Sequence, residues 1–579
     1  MLDHLPVEVL LLVFEHLDGI TLMELFQLSP RLNAIILPLL HELYHTRTVV
    51  LRPGISQAAL GDQYTLKFVK RLVFKADDPA VCYRDFRTEE ATINHELSRA
   101  LAPLEGCLTK NGLVSFRWEV GTCIPDQLLG PKGYLLQHQG SIESLRLDFS
   151  KCCKRQTHDQ VLDISPFCNI RSFSWRGRGR FDDCVSLMDF LSCNADHLEE
   201  LELDAPYSLG KNLQKWQDLN GNSNVLGFKV PRLQEGQTET IFPSLKKLSL
   251  CRIGFKSAVT EMAYTFQLHQ LRSLKLRKYD NISEMLSTIA DVSGTIQLVN
   301  MDIEVDASNN ENIDAFRRFF ELSFPSLEDV FLHVDAWDDE STRVHWRSIF
   351  APGRHLKRFV YHRRHETRGE SGFKGFSTLP DTAVELDEEM LSLLSGAKLQ
   401  CVGLCEDPAT LMEKLSKPDV PRLEWEILNI RTAPTYLNQR LHNLRHAILT
   451  PRLDFEDLND LLAVFSTRFP SLSFDFASQT RYFMPFELLD FFTFAAWAFG
   501  PTGLLKLDLL VYGEVDDVHV PSSNCLYLCR NPATAPLCLP FRQLGTVSGD
   551  GDIHDQKMRR KFQAHAELFE TMPSSEWEF

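Results

Sequence analysis

The chain has 579 residues, 44% of them hydrophobic, and a formal net charge of -17 at pH 7. This length exceeds what a single hydrophobic core usually fills, so we expect a folded, soluble protein with several domains or a repeat array. The acidic balance argues against dedicated binding of nucleic acid or anionic membranes, because such proteins usually carry a basic footprint.

The sequence shows no targeting or membrane-spanning segment. Asp3, Glu8 and Glu15 interrupt the first apolar run, which therefore does not look like a secretory signal. The strongest apolar stretch, Phe491 to Phe499, is too short to cross a bilayer. Together with fourteen scattered cysteines, this pattern predicts free thiols and a cytoplasmic or nuclear location.

Residues 1–50 predict three short helices. Pro6 and Glu8 favour the start of the first, since proline lacks only an N–H that the first turn leaves unbonded, and a carboxylate suits the positive helix end. This helix carries two apolar stripes, Leu10/Val13/Phe14/Leu17 and Leu5/Val9/Leu12. A surface helix of a globular domain shows one such stripe. The second stripe therefore predicts a contact outside the helix's own domain.

After a linker at residues 51–65, the sequence repeats. A template of three apolar residues, L-x-x-L-x-L, begins at Val69, Leu113, Ile142, Ile170, Leu198, Leu245, Leu271, Leu298, Leu327, Leu356, Leu399 and Leu504. Most gaps between successive copies are 26 to 29 residues, as in leucine-rich repeats, and the longer gaps indicate insertions. The template predicts one strand and one helix per repeat, with neighbouring repeats burying each other's leucines.

The repeats depart from the usual consensus at the turn after each strand. The Asn or Cys that normally bonds this turn, eight positions after the first leucine, is replaced by residues such as Ser150, Arg178 and Pro206. We therefore expect an irregular solenoid without that polar ladder. Beyond about residue 410 the pattern weakens, and a tail at 512–579 with a helix is expected.

The N-terminal pattern resembles the F-box, the adaptor-docking motif of SCF-type ubiquitin ligases. The resemblance covers about residues 2–45 and rests on Leu5-Pro6-x-Glu8-Val9, Val13-Phe14, Leu17, Leu25 and Leu28-Ser29-Pro30-Arg31-Leu32. The segment from Leu28 to Leu51 is similar in particular to fungal F-box proteins. Two departures are Leu28, where many members have Val or Cys, and Pro30, where Lys or Arg is more usual.

The resemblance implies that the three helices pack on a Skp-type adaptor, which links to a cullin and a RING subunit. By position, the docking surface would contain Leu5, Pro6, Val9, Leu12 and Val13, supported by Leu25, Leu28 and Arg31. This agrees with the second apolar stripe. A terminal cap of the repeat array is the other interpretation, but caps present a polar outer face.

Two patterns match metal-binding spacings. His41-Glu42-x-x-His45 has the form of a zinc-peptidase helix, but the following twenty or so residues contain no His or Glu that could be the third ligand. Cys401-x3-Cys405 and Cys525-x3-Cys529 lie more than a hundred residues apart, unlike the tight pairs of structural zinc sites. We therefore expect no metal, no cofactor and no catalytic residue.

Target binding is expected on the strands. Residues at positions +2, +4 and +6 from each first template residue point to the face opposite the leucines. They include Glu200, Glu202, Asp204, Lys275, Arg277, Asp302 and Glu304. Alternating charge of this kind suits a protein segment better than a uniformly anionic nucleic acid. A plain solvated strand face is the other interpretation.

The combined prediction is an α/β repeat protein: an F-box at 1–50, a linker at 51–65, a degenerate leucine-rich-repeat solenoid at 66–511 and a tail or cap at 512–579. In the solenoid, parallel strands line the concave face and helices lie outside. The expected function is a non-catalytic substrate receptor of an SCF ubiquitin ligase that binds an unknown protein. The alternative is a leucine-rich-repeat scaffold that acts outside any ligase.

Overall fold

A computed structural model gives the fold of the chain. It describes residues 5–14, 16–17, 19–51, 63–76, 108–120, 124–130, 132–148, 162–176, 181–204, 240–251, 263–277, 282–292, 296–306, 310–336, 346–351, 355–368, 374–376, 388–418, 420, 422–430, 484–512, 526–530, 540–543, 558 and 561. The chain divides into two compact units. The first contains residues 1–271 and 278–281, and the second contains residues 272–277 and 282–579.

The first unit begins with three helices, α1 (Val7–Phe14), α2 (Gly19–Phe26) and α3 (Pro30–Leu43). Ser29 caps α3, because its hydroxyl accepts a hydrogen bond from the Leu32 N–H at 3.2 Å. The three helices share a core with Phe68, from the 3-10 helix Gln63–Phe68; its buried members are Leu10, Phe14, Leu22, Met23, Leu32, Ile36, Leu40 and Phe68. Phe68 thereby joins the helices to the segment that leads into the sheet.

The remainder of the first unit is a parallel sheet. Its strands pair in chain order: β1 (Thr46–Leu51), β2 (Arg71–Ala76), β3 (Ser115–Glu119), β4 (Ser144–Asp148), β5 (Ser172–Arg176), β6 (Glu200–Asp204) and β7 (Lys247–Cys251). The described parts of the connections contain α4 (Asp126–Leu129), α5 (Tyr134–His138) and α6 (Phe181–Asn194). Parallel strands require such crossovers, since a tight hairpin can join only antiparallel ones.

The second unit repeats this arrangement. Its described parallel strands pair in the order β8 (Ser273–Arg277), β9 (Asn300–Asp306), β10 (Asp329–Ala336), β11 (Arg358–Arg368), β13 (Cys401–Leu404), β14 (Ile427–Ile430) and β15 (Leu509–Tyr512). Strand β12 (Lys374–Phe376) pairs antiparallel with the end of β11. Strands β16 (Leu526–Arg530) and β17 (Phe541–Gln543) continue the sheet antiparallel after β15.

Helices connect most of these strands. They are α7 (Ile282–Val292), α8 (Asn310–Phe320), α9 (Trp346–Ile349), α10 (Glu388–Gly396), α11 (Pro408–Leu415) and α12 (Met484–Ala498). Asp407 caps α11 by accepting a 2.9 Å hydrogen bond from the Thr410 N–H. The alternation of helix and parallel strand confirms the predicted α/β class and is consistent with a repeat solenoid.

The apolar template sets the strand register. The second template residues pair across the first unit in one row, Leu72, Phe116, Leu145, Phe173, Leu201 and Leu248. In the second unit the corresponding row is Leu274, Met301, Val330, Phe359 and Val402. Every residue in both rows is at most 2% exposed. Side chains alternate along a strand, so a slip by one residue would turn these buried residues to the opposite face.

The template fails in the last part of the array. The row in the second unit continues from Val402 through Leu428 to Leu510. The copy that begins at Trp425 was therefore missed, and the prediction at Leu504 is wrong by three residues, since the copy in register begins at Leu507. The error arose because positions 504 and 507 both hold leucine, so either could begin the template. Only the pairing of β14 with β15 shows which of the two does so.

Buried side-chain amides replace the missing polar ladder. The Asn194 Oδ1 accepts a hydrogen bond from the Ile170 N–H at 2.8 Å, and its Nδ2 donates to the carbonyls of Phe167 and Phe190. Two repeats earlier, the Gln139 Oε1 accepts from the Leu113 N–H at 3.0 Å. Each amide, at the end of its repeat, thus bonds the first template residue of the same repeat. These contacts satisfy backbone groups that would otherwise be buried unpaired.

The prediction of free thiols is wrong for one pair of cysteines. Cys168, in the turn before β5, forms a disulfide with Cys193 at the end of α6, with Cα atoms 5.5 Å apart. Both side chains lie at the protein surface. Sequence spacing could not find this bond, because the two cysteines are 25 residues apart and become neighbours only when a repeat closes.

Candidate functional site

The first helix exposes one of its two apolar stripes. Leu10 and Phe14 are at most 1% exposed and pack in the helical core. The other stripe remains at the surface, with Leu12 63% exposed. We define the N-terminal apolar patch as the exposed apolar residues among the predicted docking residues: Leu5, Val9, Leu12 and Val13 at α1, and Leu28 between α2 and α3. Exposed apolar clusters of this kind are typical of protein contact sites.

The other predicted docking residues lie beside this patch or beneath it. Pro6 is exposed, and its carbonyl accepts the first hydrogen bond of α1, from the Leu10 N–H. The Arg31 guanidinium donates a 2.8 Å hydrogen bond to the Leu5 carbonyl, which holds the start of α3 against the residues before α1. Leu25 is half-buried against the helical core. Val13 points outward, although its spacing with Leu10 and Phe14 also predicted an inward position.

The His41-Glu42-x-x-His45 sequence does not lie on one helix. Helix α3 ends at Leu43, so His45 is outside it. The His41 ring packs edge-on against Phe68, with ring centroids 5.4 Å apart. Burial, together with Arg71, Lys70 and His41, lowers the pKa of His45. The geometry of a zinc-peptidase helix, with two histidines on successive turns, is therefore absent from this segment.

A second candidate surface is the face of each sheet opposite the template leucines, made by positions +2, +4 and +6; we call it the inter-leucine face. In the first unit this face carries a chain of ion pairs that crosses from strand to strand. Lys75 Nζ lies 3.2 Å from Glu119, and Arg146 Nε lies 3.6 Å from the same carboxylate. Arg146 also contacts Asp148 at 3.3 Å.

Burial and charge act in opposite directions on these carboxylates. Burial raises the pKa of Glu119, but Arg146, Lys75 and Arg117 lower it by more, so the net pKa lies below its usual value. At Asp148 burial has the larger effect and raises the pKa, despite the nearby guanidinium groups of Arg146 and Arg176. Of these two carboxylates, Glu119 is therefore the one held more firmly in its ionised form.

The predicted acidic strand β6 extends the same ion-pair chain. Glu202 contacts Arg176 at 2.8 Å and accepts a hydrogen bond from the Ser174 hydroxyl at 2.6 Å. Glu200 contacts Lys247 at 2.7 Å, and its side chain remains 41% exposed. Asp204 is only 3% exposed. Of the three predicted residues, Glu200 is thus the most accessible to another molecule, and Asp204 lies inside the protein.

The predicted charged residues of the second unit largely bond each other. Arg277 is 1% exposed, and its guanidinium forms two hydrogen bonds to the Asp302 carboxylate, at 2.9 and 2.6 Å. The same guanidinium lies 4.9 Å from the centre of the Phe331 ring. Lys275 approaches Asp302 at 3.6 Å, and Glu304 is buried beside His333 at 4.0 Å. Arg277 and Glu304 are consequently structural groups in this conformation.

From β10 onward the inter-leucine face of the second unit carries a buried apolar cluster: Phe331, Val360, Cys401, Ile427, Leu509, Val511, Cys529 and Met558. Polar groups lie on the same face, since Asp329 pairs with Arg358 and the buried His333 and His362 rings stack 4.6 Å apart. Burial raises the pKa of the Cys401 thiol well above its usual value, so this sulfur is protonated and unreactive at neutral pH. Sequence reasoning missed this apolar cluster, although Phe331 stands at a +4 position.

Among the described residues, no group of three or more His, Cys, Asp or Glu side chains is placed so that it could hold a metal ion. No helix in the described ranges is long and apolar enough to cross a membrane.

Comparison with known proteins gives no relative: no protein-family model matches the chain, and no curated protein matches it. The N-terminal apolar patch and the two inter-leucine faces are therefore the features of the molecule that bear on its function.

Proposed function

We propose that the chain is the substrate-recognition subunit of an SCF (Skp–cullin–F-box) E3 ubiquitin ligase. The N-terminal apolar patch docks on a Skp-type adaptor, and the repeat sheets hold the protein target. The observation that carries the proposal is the exposure of Leu5, Val9 and Leu12 at and before α1, while Leu10 and Phe14 of the same helix are buried in the helical core. A three-helix unit that has already buried its own core has no internal use for this second apolar surface.

The role is one of proximity. The adaptor links the receptor to a cullin and a RING subunit, and those subunits transfer ubiquitin to lysines of the bound target. The receptor contributes position, because holding two reactants together raises their effective concentration. This role requires no catalytic residue, metal or cofactor in the chain itself.

The docking surface is tested by one substitution and a matched control. Leu12→Asp places a charge in the centre of the patch, and Leu505→Asp makes the same change at a leucine of similar exposure in the second unit. We expect Leu12→Asp to weaken binding of a purified Skp-type adaptor at least tenfold by calorimetry. Leu505→Asp should bind as the wild type does. Both sites are exposed, so folding should be little affected.

Equal adaptor affinity for the wild type and Leu12→Asp, or no binding by the wild type, would overturn the proposal. The Leu5→Ala/Pro6→Ala double variant is an independent test of adaptor binding at the edge of the patch.

The target surface is tested separately through Glu200. Glu200→Lys reverses the accessible charge on β6 and breaks the ion pair with Lys247. We expect this variant to bind the adaptor as the wild type does. We expect it not to bind the proteins that accumulate in complex with the wild type when the proteasome is inhibited. Recovery of the same proteins by both forms would remove this surface from the proposal.

A further inference from the structure

A disulfide lies at the surface of the first unit, in the repeat that contains α6. It joins Cys168, in the turn before β5, to Cys193, in the last turn of α6. Both residues are exposed. By contrast, Cys251, Cys401 and Cys529 are buried, and burial keeps the Cys401 thiol protonated by raising its pKa. Among these five cysteines, the disulfide pair is therefore the one whose sulfur atoms a dissolved thiol can reach.

The two segments that carry this pair are also bridged without the sulfur–sulfur bond. Asn194 follows Cys193, and its side-chain amide donates a 2.7 Å hydrogen bond to the Phe167 carbonyl. The same amide accepts a 2.8 Å hydrogen bond from the Ile170 N–H. Phe167 and Ile170 lie on either side of Cys168 in the chain. Because these bonds are buried and costly to break, they keep the two cysteines close together in either redox state.

Each segment is tied in addition to a neighbouring repeat. The Asn169 side-chain amide donates a 3.1 Å hydrogen bond to the Gly140 carbonyl in the repeat before. The Ser244 hydroxyl, in the repeat after, donates a 2.7 Å hydrogen bond to the Asp196 carbonyl. Neither bond involves sulfur. Two thiols held in this way have a high effective concentration toward each other, so the disulfide opens and forms without refolding of the repeat.

The two sulfur atoms differ in their electrostatic surroundings. Cys193 lies in the last turn of α6, where the helix end carries partial negative charge and where no basic side chain is present. Cys168 lies outside the helices. A thiolate is therefore better tolerated on Cys168 than on Cys193. Because thiol–disulfide exchange is fastest when the departing sulfur is the better thiolate, we expect an attacking thiol to bond to Cys193 and to release Cys168.

We propose that Cys168–Cys193 is a reversible redox site, which a low-molecular-weight thiol such as glutathione opens through a mixed disulfide on Cys193. Opening removes the covalent tie between the turn before β5 and the end of α6, and Asn194 keeps both segments in place. The site contains no residue of the N-terminal apolar patch. Redox exchange and adaptor binding therefore succeed or fail independently.

The exchange balances in two steps. In the first, a glutathione thiolate forms a bond to Cys193 Sγ, and the protein disulfide breaks. Its electron pair leaves on Cys168 Sγ, which takes up a proton from water. In the second, another glutathione thiolate attacks the glutathione sulfur of the mixed disulfide and releases Cys193 as a thiolate, which is protonated in turn. The protein thus gains two electrons and two protons, and two glutathione molecules become one glutathione disulfide.

The test uses the full chain in buffers of increasing glutathione to glutathione disulfide ratio, approached from the oxidised and from the reduced protein. Alkylation and mass spectrometry measure the fraction of Cys168–Cys193 disulfide. Both series should converge on one two-electron transition, and both end states should unfold cooperatively on heating. Reduction that requires denaturant, or a reduced chain that does not re-form this pair, would overturn the proposal.

Three variants test the bridge that holds the thiols together. Asn194→Ala should lower the equilibrium constant for the protein disulfide against glutathione about tenfold or more, because two bonds to the Cys168 segment are lost. Gln139→Ala, which removes the matching amide two repeats earlier, should leave it unchanged. Asn169→Ala, at an exposed position, should lower it about threefold and remains informative if Asn194→Ala does not fold. An unchanged constant in every folded asparagine variant would contradict the proposal.

The attacked sulfur has its own measurement. After brief exposure of the oxidised chain to glutathione, N-ethylmaleimide blocks the released thiols and peptide mass spectrometry locates both groups. Glutathione should be found on Cys193 and maleimide on Cys168. Glutathione mainly on Cys168, or equally on both, would overturn the proposed route.

Discussion

The inter-leucine faces of the two units differ in composition, although the template leucines behind them are the same. In the first unit this face carries paired charges, among them Lys75, Glu119, Arg146 and Glu202. In the second unit, from β10 onward, a buried apolar cluster with Val360 and Val511 lies on this face beside the Asp329–Arg358 ion pair. Val360 occupies the +4 position in β11, as Arg146 does in β4. One strand scaffold therefore supports two different surfaces, because the template constrains only alternate residues.

The difference has a structural consequence. In the first unit the charged side chains are half-buried and bond each other across the strands, so these charges are paired on the face itself. In the second unit the apolar side chains of this face are buried, and Met558 from outside the repeats packs among them. Glu200 and Arg117 of the first unit remain accessible to solvent.

The largest expected effect comes from placing the same charge on both faces. Val360→Asp buries a carboxylate in the apolar cluster without a partner, which should cost about 4 kcal/mol or more of unfolding free energy. Arg117→Asp, at the same template position in the first unit, should cost less than about 1 kcal/mol, because Arg117 is 42% exposed. Urea unfolding measures both. Similar losses in the two variants would contradict the difference between the faces.

The next effect concerns the first unit alone. Cys168→Ser removes the disulfide to Cys193 and should lower the unfolding free energy of that unit by about 3 kcal/mol, since a bond across 25 residues restricts the unfolded chain. The measurement is urea unfolding with and without reductant. Reduced wild type should match the variant, and the variant should not respond to reductant. A wild-type protein that is indifferent to reductant would contradict this expectation.

Close packing on the inter-leucine face of the second unit can be tested by substitution of Gly403. A Cβ there would lie 2.9 Å from Val360 Cγ1, so Gly403→Ala should cost about 1–3 kcal/mol by overpacking. In a Val360→Ala background the same change should cost less than about 0.5 kcal/mol, because the clashing methyl groups are gone. Gly396→Ala, where no atom lies within 4 Å of the added Cβ, is the control. Additive losses at Gly403 and Val360 would argue against this contact.

The smallest effect is electrostatic and depends on pH. The pKa of Glu119 is lowered in the folded protein, so its ionised form contributes stability above about pH 4.5 and loses that contribution as the pH falls through the folded-state pKa. Glu119→Gln should be about 1 kcal/mol less stable than the wild type at pH 7. The two should converge in acid. A constant difference between pH 7 and pH 3, measured by thermal unfolding, would show that the charge of Glu119 contributes nothing.

Much of the fold could be predicted because its signal is local and repeated. Apolar residues with a period of two, placed at regular intervals, predict strands and their register, and the rows from Leu72 to Leu248 follow that register. Strand β1 is an instructive omission. The β-branched run from Thr46 to Val50 favours a strand, but it was included in the N-terminal helical region of the prediction.

The candidate surfaces were predictable only in part. The exposed stripe on α1 follows from helical spacing, since a short helix cannot bury both sides in a three-helix unit. The burial of Asp204, Arg277 and Glu304 does not follow from spacing. Alternation along a strand shows on which face of the sheet a residue lies, but not which other residues cover that face. The amide contacts of Gln139 and Asn194 were also missed, since each bonds a backbone N–H more than twenty residues earlier in the chain.

By itself, the sequence determined the strands of the regular repeats, the residues in them that face the core, and the apolar residues Leu5, Val9 and Leu12 that have no place in the helical core. These properties depend on periodicity, which neighbouring residues express together. Only the tertiary structure decided that Cys168 meets Cys193, that Leu510 rather than Leu507 pairs with Leu428, and that Met558 packs with Val360 while Lys561 contacts Asp508. These contacts join residues that are far apart in the chain, where no local pattern constrains the choice of partner and only packing of the folded units brings them together.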